Sequence, residues 1–275
     1  MEDWEGALMS SAAAQVAPSD RQALGLVGVV FRDIARGGLA GAVVGILVAG
    51  LGGRIVMRLA AIIVPASAGR FTENGNQIGD ITLSGSLGLI LFGGLFFGLA
   101  GSVIWVVVSP WVPGSGLRRA ILAMPIAVAL TGVGLIHGSN PDFRILQHNG
   151  LVVAMLLALV ALAGMSIALL DGWLDRRLPR AGGSGRADSL YAVLTLAGSL
   201  LIFPVVLQAY LVADTPMGLA LVAVGVATLA WWAVRLQGRD RTPPVLVVAG
   251  RGALLVAVVL GTLDLGPDVA AALGI

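Results

Sequence analysis

The stretch "RGGLAGAVVGILVAGLGGRIVMRLAAIIVP" (residues 36–65) runs from Arg36 to Arg54 without a charged side chain, then sets Arg54 and Arg58 one helical turn apart. A helix on the surface of a soluble domain would carry a polar face along such a length; this one has none. A membrane-crossing helix needs about 20 mainly apolar residues. The segment therefore reads as a span over residues 34–63, and the question it raises is why two guanidinium groups sit near its end.

The rest of the chain agrees with the first span. Of 275 residues, 57% are hydrophobic and 12% charged, where a soluble domain carries about 25% charged residues. Six more stretches have the length and apolarity to cross: 81–108, 117–137, 149–171, 190–213, 216–236 and 244–263. The connections between them hold the Pro, Gly and Asn residues at which helices stop. The expected fold is all-α, a polytopic seven-transmembrane-helix bundle formed by residues 33–275 as one domain. Residues 1–32 are expected to be a cytoplasmic tail. It includes an interfacial helix at "ALGLVGVVF" (23–31), too short to span and flanked by Arg21 and Arg32. The acidic start "MEDWEGALMS" lacks the basic region of a signal peptide.

Arginine placement sets the expected orientation, because cytoplasmic connections are enriched in basic residues. Arg21, Arg32, Arg36, Arg118, Arg119, Arg176, Arg177, Arg180, Arg186, Arg235, Arg239 and Arg241 fall on one side, and only Arg70 and Arg144 on the other. This places the N-terminus in the cytoplasm and the C-terminus outside, in a cell inner membrane. Trp105, Trp111, Trp173, Trp231 and Trp232 fall near the cytoplasmic helix ends, as interfacial anchors would. "SPWVP" reads as an interfacial stop after the second span.

Composition excludes several chemistries. With no cysteine there is no disulfide, thiolate nucleophile or Cys-based metal site. All 17 basic residues are arginine, so no lysine can form a Schiff base. The basic balance would suggest nucleic acid in a soluble chain; here it is topology, and no nucleic-acid partner is expected. Glycines at four-residue spacing (Gly37, Gly41 and Gly45; Gly94 and Gly98) let helices approach closely in lipid. Packing within the bundle is the simpler use of them, a homo-oligomer face the other.

At 1.5 Å per residue, Arg54 lies about 27 Å beyond Arg36, near the outer edge of a hydrocarbon core about 30 Å thick. Arg58 lies a turn further out. Arg251, in "VLVVAGRGALLVAVVL", is about 15 Å from Arg241 and so near mid-membrane. A charge there needs a partner, and a functional or buried-network role is expected for it. No acid falls mid-span, which disfavours a proton or sodium pump. Asp80 or Thr82, Asn149, and Thr215 before Pro216 read as N-caps on the outer side, directing positive helix ends outward beside Arg54 and Arg58. These features predict an outer polar vestibule for an anionic solute or anionic lipid headgroup, with Arg54, Arg58, Arg251, Asn74, Asn76, Thr82, Asn140, Arg144 and His148 as its ligands.

The connection "HGSNPDFRILQHNG" (137–150) contains both histidines. His137, Ser139 and Asp142 could be imagined as a hydrolase triad, but no nucleophile elbow accompanies them. Two histidines without HExxH spacing or a third ligand do not make a metal or haem site. No cofactor and no metal are expected. The combination of "GGRIVMR", "TENGNQIG", "ITLSG" and "SPWVP" over residues 52–113 resembles a group of bacterial polytopic membrane proteins; the resemblance implies no activity. Three readings follow: a protein that binds or passes an anion or lipid headgroup, an accessory or assembly subunit packed against another membrane protein, and an outer-face lipid-modifying enzyme using His137, Asp142 or His148.

Overall fold

The computed structural model describes residues 18–73, 75, 77–80, 83–181, 185–211, 215–238 and 241–275. Every long element is a helix, and the described residues contain a single isolated strand-like bridge, Phe71 to Gln77. Helix α1 comprises Pro18–Val44, a π-helical segment Gly45–Gly50, and Leu51–Ile63. Helix α2 comprises Leu83–Gly88, a second π segment Leu89–Leu95, and Phe96–Val108. Then come α3 (Gly116–Thr131), the short α4 (Asp142–Ile145), α5 (Gly150–Arg177), α6 (Gly185–Leu211), α7 (Pro216–Leu236) and α8 (Pro244–Leu273).

Six stretches among the described residues are long and apolar enough to cross a membrane: Val27–Ile63, Gly85–Trp111, Gly116–Gly134, Gly150–Arg177, Pro216–Leu236 and Pro244–Leu273. The chain is an all-helical, multi-pass membrane protein. Its first helix is continuous from Pro18, so the 23–31 segment joins the first span without a break. Its last helix continues past Pro267 to Leu273, where Gly274 turns left-handed (φ 74°).

Close helix approach depends on the glycines. Built on Gly41, a Cβ would collide with the carbonyl of Gly98; on Gly45, with that of Gly94. The two π segments therefore meet backbone to backbone, and these glycines serve contacts inside this chain. Helix α3 lies along α5 and α7 along α8, while α6 packs against α1 and α2.

Trp111 corrects an expectation. It is 1% exposed, lies against Gly250, and its indole N–H donates to the Thr228 hydroxyl at 2.9 Å. Trp105 is buried as well. Both rings are core of the bundle rather than headgroup anchors, and Gly250 on α8 leaves room for that of Trp111.

Candidate functional site

The π segments and the helices around them line a partly open apolar cavity of about 250 Å³. Val44, Ala49 and Val56 line it from α1, Ile104 and Trp105 from α2, Ala127 and Thr131 from α3, and Leu159 and Ile167 from α5. A larger space of about 750 Å³ adjoins it toward the α1–α2 connection. Val56, Met57, Leu89, Gly93, Phe97, Leu135 and Leu156 line both. The larger space adds Thr72, Glu73, His137, Asn140 and Asp142. From Met57 at this mouth to Val44 at the inner end is about 20 Å along α1, well over half of a hydrocarbon core about 30 Å thick.

The polar mouth is held by short-range contacts. The Asn140 side chain accepts from the Asp142 backbone N–H at 2.8 Å, and the Glu73 N–H donates to Asp142 Oδ1 at 2.8 Å, joining the two connections. Burial pushes the Asp142 carboxyl above its ordinary range; the Glu73 N–H opposes this and the negative Glu73 adds to it. His137 Nδ1 lies 3.3 Å from the hydroxyl of exposed Ser139. Asp142 accepts from Glu73 and makes no hydrogen bond to His137, so the hydrogen-bonded relay of a hydrolase is not assembled here.

The arginines expected at this site are elsewhere. Arg54, Arg58, Arg144 and Arg251 line neither cavity. Arg54 is 5% exposed within α1. Arg58 is exposed and donates to the carbonyl of Gly79, fastening the connection back onto α1. Arg144 is exposed on α4. Arg251 is exposed on α8 and not in a buried network; its glycine neighbour Gly250 accommodates Trp111 instead. His148 is structural: φ is 53°, and its Nδ1 lies 3.0 Å from the Ala272 carbonyl, tying the third connection to α8. Asp268 accepts from Gly138 N–H at 2.8 Å beside it. Asn149 and Thr215 cap α5 and α7 as expected. Asn74, Asn76 and Thr82 lie outside the described residues.

The opposite end of the bundle holds a network that reading single spans did not disclose. Arg36 meets Asp171 at 2.6 Å and Asp33 at 3.6 Å, and also pairs with Asp175. Arg32 joins Asp175 at 2.9 Å, and Arg235 joins Asp33 at 3.0 Å. This cluster links α1, α5 and α7. Asp171 lies one helical turn, about 6 Å, beyond the cavity-lining Ile167, so ion pairs close that end. No group of three or more His, Asp or Glu side chains among the described residues could hold a metal ion.

No family model matches this chain, and neither a curated protein nor a solved structure matches it.

Proposed function

We propose that this chain is a seven-helix protein of a bacterial inner membrane that holds one lipid-like amphiphile, tail in the apolar cavity and head in the polar mouth. In this reading α6 is the seventh crossing, since it packs beside α1 and α2 as a span would. The arginine asymmetry puts the mouth outside and the ion cluster at the cytoplasmic face. The group of bacterial polytopic membrane proteins that residues 52–113 resemble is its proposed family.

The observation that carries the proposal is the continuity of an apolar cavity with a polar one across seven shared residues. A small polar solute would gain nothing from the inner part, which offers it almost no partners. A single lipid tail matches its length and chemistry. With Glu73 and Asp142 at the mouth and none of the four proposed arginines there, the head is better matched by hydroxyl, amide or ammonium groups than by an anion. Because Arg36 and its carboxylates close the far end, we read the chain as a binding protein rather than a channel.

The test is native mass spectrometry of protein extracted in mild detergent. Stoichiometric lipid is expected on the parent. A Cβ on Gly53 would meet only Leu89 Cδ2, and one on Gly101 only Ile167 Cδ1, each at 3.5 Å. The first carbon of a leucine therefore fits at either place and its branches enter the cavity. Gly53→Leu and Gly101→Leu should each lose most of the lipid while staying folded. A lipid-free parent, or folded variants as loaded as the parent, would reject the reading.

A further inference from the structure

We propose that the outward face of α8 around Arg251 docks a transmembrane helix of another protein, one that carries a carboxylate at the level of this guanidinium. Arg251 is exposed, and among the described residues it makes no hydrogen bond and no ion pair. It lies within the span Pro244–Leu273, about 10 Å in from Pro244. Charged side chains inside a span almost always face protein or a wet cavity and are paired there. Three arginines at this end of the bundle follow that rule. Arg36 meets Asp33, Asp171 and Asp175, Arg235 meets Asp33, and Arg119 lies over the Trp105 ring and donates to the Ser109 carbonyl. Arg251 instead points away from the bundle.

Its depth follows from the packing. The adjacent Gly250 lies against the Trp111 ring, which is bonded to Thr228. From Thr228 to Arg235, a member of the ion cluster, is about 10 Å along α7. Arg251 therefore sits about two turns deeper than the charges that mark this face. To snorkel out, its side chain would have to pass Val248 and Val245, both exposed and apolar.

The surface around it suits a helix. Gly252 is exposed beside Arg251 with nothing within 4 Å of where a Cβ would stand, and Val248, Leu255 and Val259 extend the same face. A small residue among branched ones lets a second helix come close in lipid, and a carboxylate is the acceptor that matches the guanidinium fork. A second copy does not supply that group. Asp33, Asp171 and Asp175 are engaged in the ion cluster, and Asp264 lies about 20 Å further along α8. A symmetric α8 contact between copies would set arginine near arginine. A lipid phosphate stays at headgroup level, two turns away.

The probe is a leucine-rich transmembrane peptide with one aspartate about 10 Å from one end, with an all-leucine peptide as control. Association with the full chain in phosphatidylcholine vesicles is read by energy transfer. The parent should bind the aspartate peptide about tenfold more tightly than the control, the size of one interhelical hydrogen bond in lipid. Arg251→Leu should melt no lower than the parent, since the side chain is exposed, and should lose the preference. Arg251→Asp should prefer a peptide with arginine in place of the aspartate. Equal binding of both peptides by the parent, a preference that survives in Arg251→Leu, or failure of the exchanged pair would overturn the proposal. So would loss of the preference in phosphatidylglycerol vesicles, which would give the face to an anionic lipid, or Arg251-dependent self-association that excludes the peptide, which would give it to a second copy.

Discussion

Arg36 donates from Nε to Asp171 Oδ1 at 2.6 Å, tying α1 to α5 with the carboxylate only 2% exposed. Asp33 and Asp175 also pair with this guanidinium, but each has a second arginine, Arg235 and Arg32 respectively. Among these carboxylates Asp171 is the one whose direct ion pair is with Arg36 alone, Arg119 adding only a longer-range attraction.

That dependence predicts an asymmetry between partners. Arg36→Leu removes the direct ion pair of a buried carboxylate, a loss of about 3–5 kcal/mol. Asp171→Leu leaves Arg36 with two other carboxylates and should cost clearly less. Removing both should be milder than Arg36→Leu alone, since no buried charge is then left unpaired. Thermal unfolding of the four proteins in detergent checks this; equal losses for the two single variants would refute the assignment.

The glycines give a second contrast. Gly98 meets backbone on α1, while a Cβ on Gly198 would meet nothing within 4 Å. Gly98→Val should separate α1 from α2 and lower the melting temperature steeply. Gly198→Ala should raise stability by up to about 1 kcal/mol, the ordinary helix preference for alanine. Comparable melting temperatures for both variants would show that the backbone contact does not matter.

Six spans and the caps at Asn149 and Thr215 were legible because each is local. Length and apolarity mark a crossing helix, and Asn149 and Thr215 announce their caps within three residues. The glycine period likewise showed where helices would touch. What could not be read was which residues face each other across the bundle. Arg36 and Asp171 are 135 positions apart, and nothing near either names the other. The same blindness made Arg251 look central: its depth along α8 was readable, but whether its face met protein or the outside was not. Arg58 similarly looked like a ligand-binding group, when its partner is the Gly79 carbonyl of the adjacent connection. Glu73 and Asp142 meet at the mouth across 69 positions, because the connection at 137–150 folds over the one after α1.

Trp111 and Thr228 supply the third prediction. The hydroxyl accepts from the indole and donates to the Val107 carbonyl at 2.6 Å, joining α7 to the end of α2. Thr228→Val conserves volume but orphans the buried N–H, at a cost of about 1–3 kcal/mol. Adding Trp111→Phe removes the orphan, so the double variant should lose less than the sum of the singles. A double-mutant cycle by thermal unfolding measures the coupling; strict additivity would mean the two side chains do not interact.

Asp142 makes stability depend on pH in a direction opposite to that of a salt-bridged acid. Its carboxyl is pushed above the ordinary range, first by burial and then by negative Glu73, against the opposing Glu73 N–H. The folded protein therefore holds this proton more tightly than the unfolded chain does. As pH rises from the ordinary aspartate value of about 4 through the elevated folded value, the folded state binds more protons, so this group's contribution to stability falls with pH. Asp142→Asn keeps an acceptor oxygen for the Glu73 N–H without the charge. The variant should match the parent in acid and exceed it at neutral pH. Melting curves of both proteins across that range decide the matter, and a variant less stable at neutral pH would show that the ionised carboxylate supports the fold.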